Sequence, residues 1–118
     1  MKKKIYITDD DPGVQDIFRI IFESAGYVPT IFQNGKDLLD NLNNEYPDMY
    51  ILDKQLSGMD GLDVCRNLKN ARKTRNIPVL IVSATPGLRN MAKAAGADDF
   101  IEKPFKKNEL LKKVASYL

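Results

Sequence analysis

Short apolar runs alternate with longer amphipathic stretches along the whole of this chain. Lys4 to Thr8 reads as a first strand. Asp11-Pro12 then opens a helix, because Asp suits the N-cap and Pro the first turn. Gly26 ends that helix after Ala25. Tyr27 to Phe32 reads as a second strand. Asn34 caps a second helix with Leu38, Leu39 and Leu42 on its inner face, ending near Tyr46-Pro47. Met49 to Asp53 is a third strand. The loop from Leu56 to Gly61 offers glycines for unusual backbone angles, and a third helix follows, carrying Leu62, Val64, Cys65 and Leu68. Pro78 to Ser83 is a fourth strand. Its run Val79-Leu80-Ile81-Val82 is apolar without alternation, the mark of a strand covered on both faces. Pro86 to Ala95 is a short fourth helix stopped by Gly96, Asp99 to Glu102 a fifth strand, and Lys106 to Leu118 an amphipathic closing helix. Five β-α units joined by crossovers predict an α/β fold with a parallel sheet flanked by helices.

Composition narrows this reading. The 118 residues suit one domain, over 1–118. At 43% apolar residues the chain has the means for a proper core. A formal net charge of +2 is too balanced to imply nucleic-acid binding by bulk electrostatics. Lys2-Lys3-Lys4 precedes an apolar run too short for a secretory signal, and no run approaches membrane-spanning length. The single cysteine, Cys65, excludes an internal disulfide, fits a reducing, cytoplasmic setting, and reads as a small buried helix residue. The absence of histidine removes His-based triads and most transition-metal sites.

The charges at strand ends carry the chemistry. Asp9, Asp10 and Asp11 follow the first strand, Asp53 ends the third, and Lys103 follows the fifth. In a parallel sheet all of them gather at one carboxyl edge, where open α/β sheets bind ligands. Two carboxylates at ~4 Å repel by about 4 kcal/mol at an effective dielectric of 20. Such crowding is tolerated mainly where a cation sits or chemistry needs it. This points to a magnesium site with an aspartate at its centre. Taken singly, each residue also has an ordinary role. Asp11 reads as a helix cap, Asp9 and Asp10 as turn acids, Asp53 as a loop entry, Lys103 as a solvated side chain, and Ser83 as a strand-end hydroxyl bonded to backbone.

Ile-Tyr-Ile-Thr-Asp-Asp-Asp-Pro, Ile-Leu-Asp, Leu-Ser-Gly-Met-Asp-Gly-Leu, Val-Ser-Ala, Gly-Ala-Asp-Asp-Phe and Lys-Pro-Phe, in this order and spacing, resemble the receiver domains of bacterial response regulators. The stand-alone chemotaxis and sporulation types are the nearest in form. The resemblance covers essentially the whole chain. It implies a doubly wound, flavodoxin-like (βα)5 fold with strand order 2-1-3-4-5. By position, Asp53 matches the phosphoryl acceptor, a nucleophile that forms an acyl phosphate. Asp9 and Asp10 match the acidic pair, Asp10 binding Mg²⁺ directly and Asp9 through a metal-bound water. The backbone carbonyl of Gln55 supplies a further ligand. Oxygen ligands with retained water suit this ion. Lys103 and Ser83 are implied to contact phosphoryl oxygens, and the chemistry is then positioning plus charge stabilisation. Phosphorylation would draw Ser83 inward and turn Phe100, the aromatic switch position, into the space released, changing the surface of the fourth helix, fifth strand and fifth helix. Phe100 also reads as an ordinary strand aromatic. A cis Lys103-Pro104 bond is implied as well.

The implied partners are a sensor histidine kinase or a histidine phosphotransfer protein and a downstream protein effector. Direct contact with nucleic acid and insertion into a membrane are not expected, and a phosphorylation-dependent homodimer is allowed. The first helix is unusually apolar, and Val14 and Phe18 are candidates for an exposed kinase-docking patch or, equally, for covering the sheet edge. Lys106, Lys107, Lys112 and Lys113 read as facing water rather than an interface. Several positions depart from the family pattern: Ser57 replaces a common proline, Lys54 a common apolar residue, and the segment from Ala84 to Ala95 is slightly short. Lys54 either reaches an acidic neighbour or faces solvent. Gln55 and Thr85 flank the expected phosphoryl position. Three other readings are weaker. A haloacid-dehalogenase-like phosphohydrolase places an Asp where Gln55 stands. A flavodoxin-like flavin site would have its phosphate repelled by Asp9-Asp10-Asp11. A partner-binding pseudo-receiver would not need the full set of acids with Ser83 and Lys103. The chain fits a stand-alone receiver, whose closing helix leaves nothing for an output domain, and equally a segment of a longer regulator or hybrid kinase.

Overall fold

A computed structural model describes residues 2–41, 45–56 and 58–118. In chain order the elements are β1 (Lys4–Thr8), α1 (Pro12–Ser24), β2 (Val28–Phe32), α2 (Gly35–Asp40), β3 (Met49–Asp53), α3 (Gly61–Asn70), β4 (Val79–Ser83), α4 (Leu88–Ala94), β5 (Asp99–Glu102) and α5 (Lys107–Tyr117). All strand pairs are parallel and the sheet order is β2-β1-β3-β4-β5. β3 and β4 are buried along their whole length, whereas the edge strand β2 alternates exposed and half-buried positions. Two cores follow, one on each face. Tyr6, Tyr50 and Leu52 meet Leu38, Val64, Leu68 and Leu88 of α2, α3 and α4. On the other face Ile7, Ile51 and Leu80 meet Phe18 and Phe22 of α1 and Leu110 of α5.

The caps are those expected from the residues. Asp11 accepts from the N–H groups of Gly13 and Val14 at 2.8 and 3.4 Å, and Asn34 from that of Asp37 at 2.8 Å. Several boundaries differ from the sequence reading, among them β4, which starts at Val79 rather than Pro78, and α5, which runs Lys107–Tyr117 rather than Lys106 to Leu118. β2 starts at Val28, because the Tyr27 N–H bonds back to the Phe22 carbonyl at 3.0 Å and its ring packs edge-on against Phe22, finishing α1 instead of opening a strand. α2 ends at Asp40, short of Tyr46-Pro47, with Asn41 as its C-cap. The inner-face position assigned to Leu42 lies outside the described residues. α4 starts at Leu88, not Pro86, since Gly87 takes a left-handed φ of 76° that cannot belong to the helix.

Of the two readings of Val14 and Phe18, an exposed patch and covering of the sheet edge, the structure fits the second. Phe18 is 1% exposed and stacks between Phe22 and Phe105, and Val14 packs against the same core. The exposed apolar residues of this helix are Ile17 and Ile20, at 52% and 68%. Cys65 is buried as expected, and burial pushes its thiol up to about 11.

Candidate functional site

The register of the strands assembles the site. Thr8 lies beside Leu52, Asp53 beside Val82 and Ser83 beside Glu102, so the residues that end or follow β1, β3, β4 and β5 share one edge. Backbone bonds carry the sheet past its last paired residues. Asp9 N–H bonds the Phe32 carbonyl at 3.3 Å, Lys54 N–H that of Val82 at 2.9 Å, and Lys103 N–H that of Ser83 at 2.9 Å. The Lys103-Pro104 peptide is cis.

At this edge the Lys103 ammonium lies 2.9 Å from Asp53 Oδ2 and 3.5 Å from Asp9 Oδ2. Both carboxylates are buried, Asp9 completely and Asp53 to within 6%. Each has a second donor: Asp11 N–H reaches Asp9 Oδ1 at 3.0 Å, and Gln55 N–H reaches Asp53 Oδ1 at 3.0 Å. Burial, the largest cause, and the neighbouring Asp53 push the Asp9 carboxyl up to about 6, against the pull of the Asp11 N–H and Lys103. Burial alone would lower the Lys103 ammonium, but the bonds and charges of Asp53 and Asp9 outweigh it and hold it raised.

Ser83 is joined to the other side of the cleft by a chain of hydrogen bonds. Its hydroxyl donates to Thr85 Oγ1 at 2.8 Å and accepts from the Thr85 N–H at 3.0 Å. Gln55 Nε2 donates to the same Thr85 oxygen at 3.0 Å. Asp10 and Gln55 line an open cleft of about 570 Å³ with Lys54 and Asp60. Phe100 stands apart on β5, half-buried, with Arg89 Cζ at 5.7 Å and Lys113 Nζ at 5.4 Å from its ring centre. Lys113 does not simply face water as expected. It bonds Asp99 at 3.2 Å, drawn in by an acid one residue before Phe100.

The donors present suit a hard cation. Asp9 and Asp53 are carboxylates crowded enough to raise one of them, and Asp10 and the Gln55 backbone sit at the adjoining cleft. Among the described residues no three acidic or sulfur side chains converge as a ready-made cage.

The site depends on residues that the sequence reading passed over. Gln15 of α1 donates its side-chain amide to the Asp9 carbonyl. Asp60 caps α3 through the Leu62 N–H at 2.8 Å and pairs with Lys54 at 3.3 Å, so Lys54 reaches an acid rather than solvent. Gly61 is required by close approach, not by an unusual angle: a Cβ there would sit 2.0 Å from the Asp53 carbonyl oxygen. An Asp-Gly pair before an apolar helix was the available signal. The departure at Ser57 lies outside the described residues.

A doubly wound parallel sheet with buried acids and a lysine at its carboxyl edge belongs to the class of open α/β folds that bind ligands at that edge. Within that class the profile of the response regulator receiver domain matches residues 5–115, and the chain belongs to this family of two-component signalling proteins. It is 32% identical over 120 residues to the DNA-binding response regulator MtrA of Mycolicibacterium smegmatis, matching 100% of this chain and 51% of that protein. The chain thus spans about half the length of such curated relatives. Among solved structures it is similar to the signal receiver domain of a signal transduction histidine kinase from Syntrophus aciditrophicus, with a TM-score of 0.91 and 33% identity over 98% of this chain and 89% of that one. It is also similar to the response regulator TrrA of Thermotoga maritima in complex with Mg(2+)-BeF, with a TM-score of 0.89 and 26% identity over 100% of both chains. Among the described residues no helix is long and apolar enough to cross a membrane.

Proposed function

We propose that this receiver, taken as one domain over residues 1–118, accepts a phosphoryl group on Asp53 from the phosphohistidine of a sensor kinase or phosphotransfer protein. The observation that carries this reading is the buried Asp53–Lys103–Asp9 arrangement at the carboxyl edge of the sheet. An Asp53 oxygen attacks phosphorus, a new O–P bond forms, and the bond from phosphorus to the donor nitrogen breaks. Lys103, already 2.9 Å from Asp53, moves its charge onto a phosphoryl oxygen, and the Ser83 hydroxyl donates to another once it leaves Thr85. Asp9, Asp10, Asp53 and the Gln55 carbonyl would hold magnesium, an ion present in the Mg(2+)-BeF complex of the Thermotoga maritima relative. When bound, the ion offsets the charge of carboxylates and phosphoryl group. Catalysis is confined to the chain's own phosphorylation and dephosphorylation.

Phosphorylation then biases an equilibrium between two surfaces. Movement of Ser83 breaks the Ser83–Thr85–Gln55 chain, the loop before α4 shifts, and Phe100 turns inward. The altered face of α4, β5 and α5 signals in the cytoplasm to an effector protein or to a second copy. Intact mass after incubation with magnesium and acetyl phosphate tests this. The native chain gains one phosphoryl group, Asp53→Asn gains none, and chelation abolishes the gain. If the native chain gains no mass even from a phosphorylated histidine donor, the reading fails.

A further inference from the structure

The residue after Asp53 carries a cation lining the cleft of Asp10 and Gln55, and the protein holds its backbone at two points and its ammonium at one. Lys54 N–H bonds Val82 of β4 at 2.9 Å, and the Lys54 carbonyl accepts from Gly61 N–H at 2.8 Å. Its ammonium pairs with Asp60 Oδ2 at 3.3 Å, with the Lys54 side chain only 17% exposed. The other Asp60 oxygen is committed to the α3 N-terminus through Leu62 N–H at 2.8 Å. Asp60 is therefore fixed, and it fixes Lys54.

A long flexible ammonium beside a magnesium cleft is a built-in competitor for the same carboxylates. We propose that Asp60 is a positioning residue that restrains the Lys54 ammonium and so keeps the acidic cleft open to a divalent cation. This rests on the magnesium site of the proposed function. Without Asp60's charge, Lys54 swings toward the Asp10 side of the cleft and opposes the metal by occupancy and by charge. Asp60 itself is 40% exposed and acts through Lys54 rather than by its own field on the ion, which solvent and salt screen.

The test is a magnesium titration by calorimetry of four chains: native, Asp60→Asn, Lys54→Met and the double variant. Asn keeps a cap for α3, and Met keeps most of the apolar stem and the backbone bonds of Lys54; thermal melts confirm that all four are folded. Asp60→Asn is expected to weaken magnesium binding about fivefold in the native background, and about twofold or less once Lys54 is Met. Lys54→Met alone binds at least as well as the native chain. Equal weakening by Asp60→Asn in both backgrounds overturns the proposal, because Asp60 then acts directly. No weakening in either background overturns it as well. A native chain that binds no magnesium overturns the metal reading and this proposal with it, a pattern distinct from the other two.

Discussion

Asp9 is the residue at which the cost of this site is concentrated. Its carboxyl is completely buried beside Asp53 and is raised to about 6, against an ordinary value of about 3.9. Between these values the folded protein binds a proton that the unfolded chain has released, so stability falls as pH rises through the window. The full loss is about 3 kcal/mol for a shift of that size. Asp9→Asn keeps an acceptor for the Asp11 N–H and removes the charge. It should exceed the native chain in metal-free urea denaturation by about 1–3 kcal/mol near neutral pH, with the gain vanishing near about pH 4. Millimolar magnesium should reverse the ranking, because the proposed metal site needs the carboxylate. The same pH profile in both chains would show that Asp9 is not the group responsible. The placement of Asp9, Asp53 and Lys103 together was legible in the sequence, because parallel strands of known ends fix which residues share an edge. Thr85 was legible as flanking the site but not as the partner of Ser83, and neither Gln15 nor the identity of Asp60 as the acid beside Lys54 was legible, since such partners are set by loop paths that no periodicity encodes.

Helix faces and helix ends were legible to different degrees. Strand β4, four apolar residues without alternation, reads as a strand buried on both faces, and it is one. Helix α1 has too many apolar residues for its period to choose among them. The structure selects Phe18, Ile21 and Phe22, spaced by three and four, and leaves Ile17 and Ile20 outside. The start of α3 shows how an element end can govern chemistry. Gly61 lies so close to the end of β3 that an added Cβ would meet three backbone atoms of Asp53 and Lys54, at 2.0, 2.8 and 2.9 Å. Backbone in a central strand cannot give way as a side-chain tip can. Gly61→Ala should therefore cost about 3 kcal/mol by overpacking, seen as a lower urea midpoint. It should also slow magnesium-dependent phosphoryl gain at temperatures where the variant is fully folded, because the displaced backbone is that of Asp53 and Lys54. A variant with lower stability and the native rate of gain would separate α3 docking from the acceptor's position.

At the scale of the molecule the two edges of the sheet are built for opposite purposes. The carboxyl edge holds buried like charges, a left-handed Gly87 before α4 and a side-chain chain through Thr85 that must break for Ser83 to move. On the β4–β5 side of the amino edge one cation gathers several ties. Lys69 Nζ, at the end of α3, bonds the Ile77 carbonyl at 2.9 Å, the Arg75 carbonyl at 3.2 Å and Asp98 Oδ2 at 2.6 Å. Asp98 in turn accepts from Val79 N–H at 2.8 Å, so α3, the loop before β4, β4 and the start of β5 meet at one point. The switch proposed for the α4 and β5 surface needs such a fixed end, or the strands would shift as a whole instead of the loops. Lys69→Met removes the ties but keeps the aliphatic stem that packs on Gly96. Asp98 is 37% exposed and partly solvated, so the expected loss is about 2 kcal/mol rather than that of a fully buried pair. Phosphoryl gain on Asp53 should stay within about twofold of native, as distant and unshared contacts are nearly additive. Hydrogen exchange should then show faster opening of β5 and the loop before β4 in the variant, with or without phosphorylation. A stable variant whose Asp53 no longer gains phosphoryl would instead place the amino edge inside the switch.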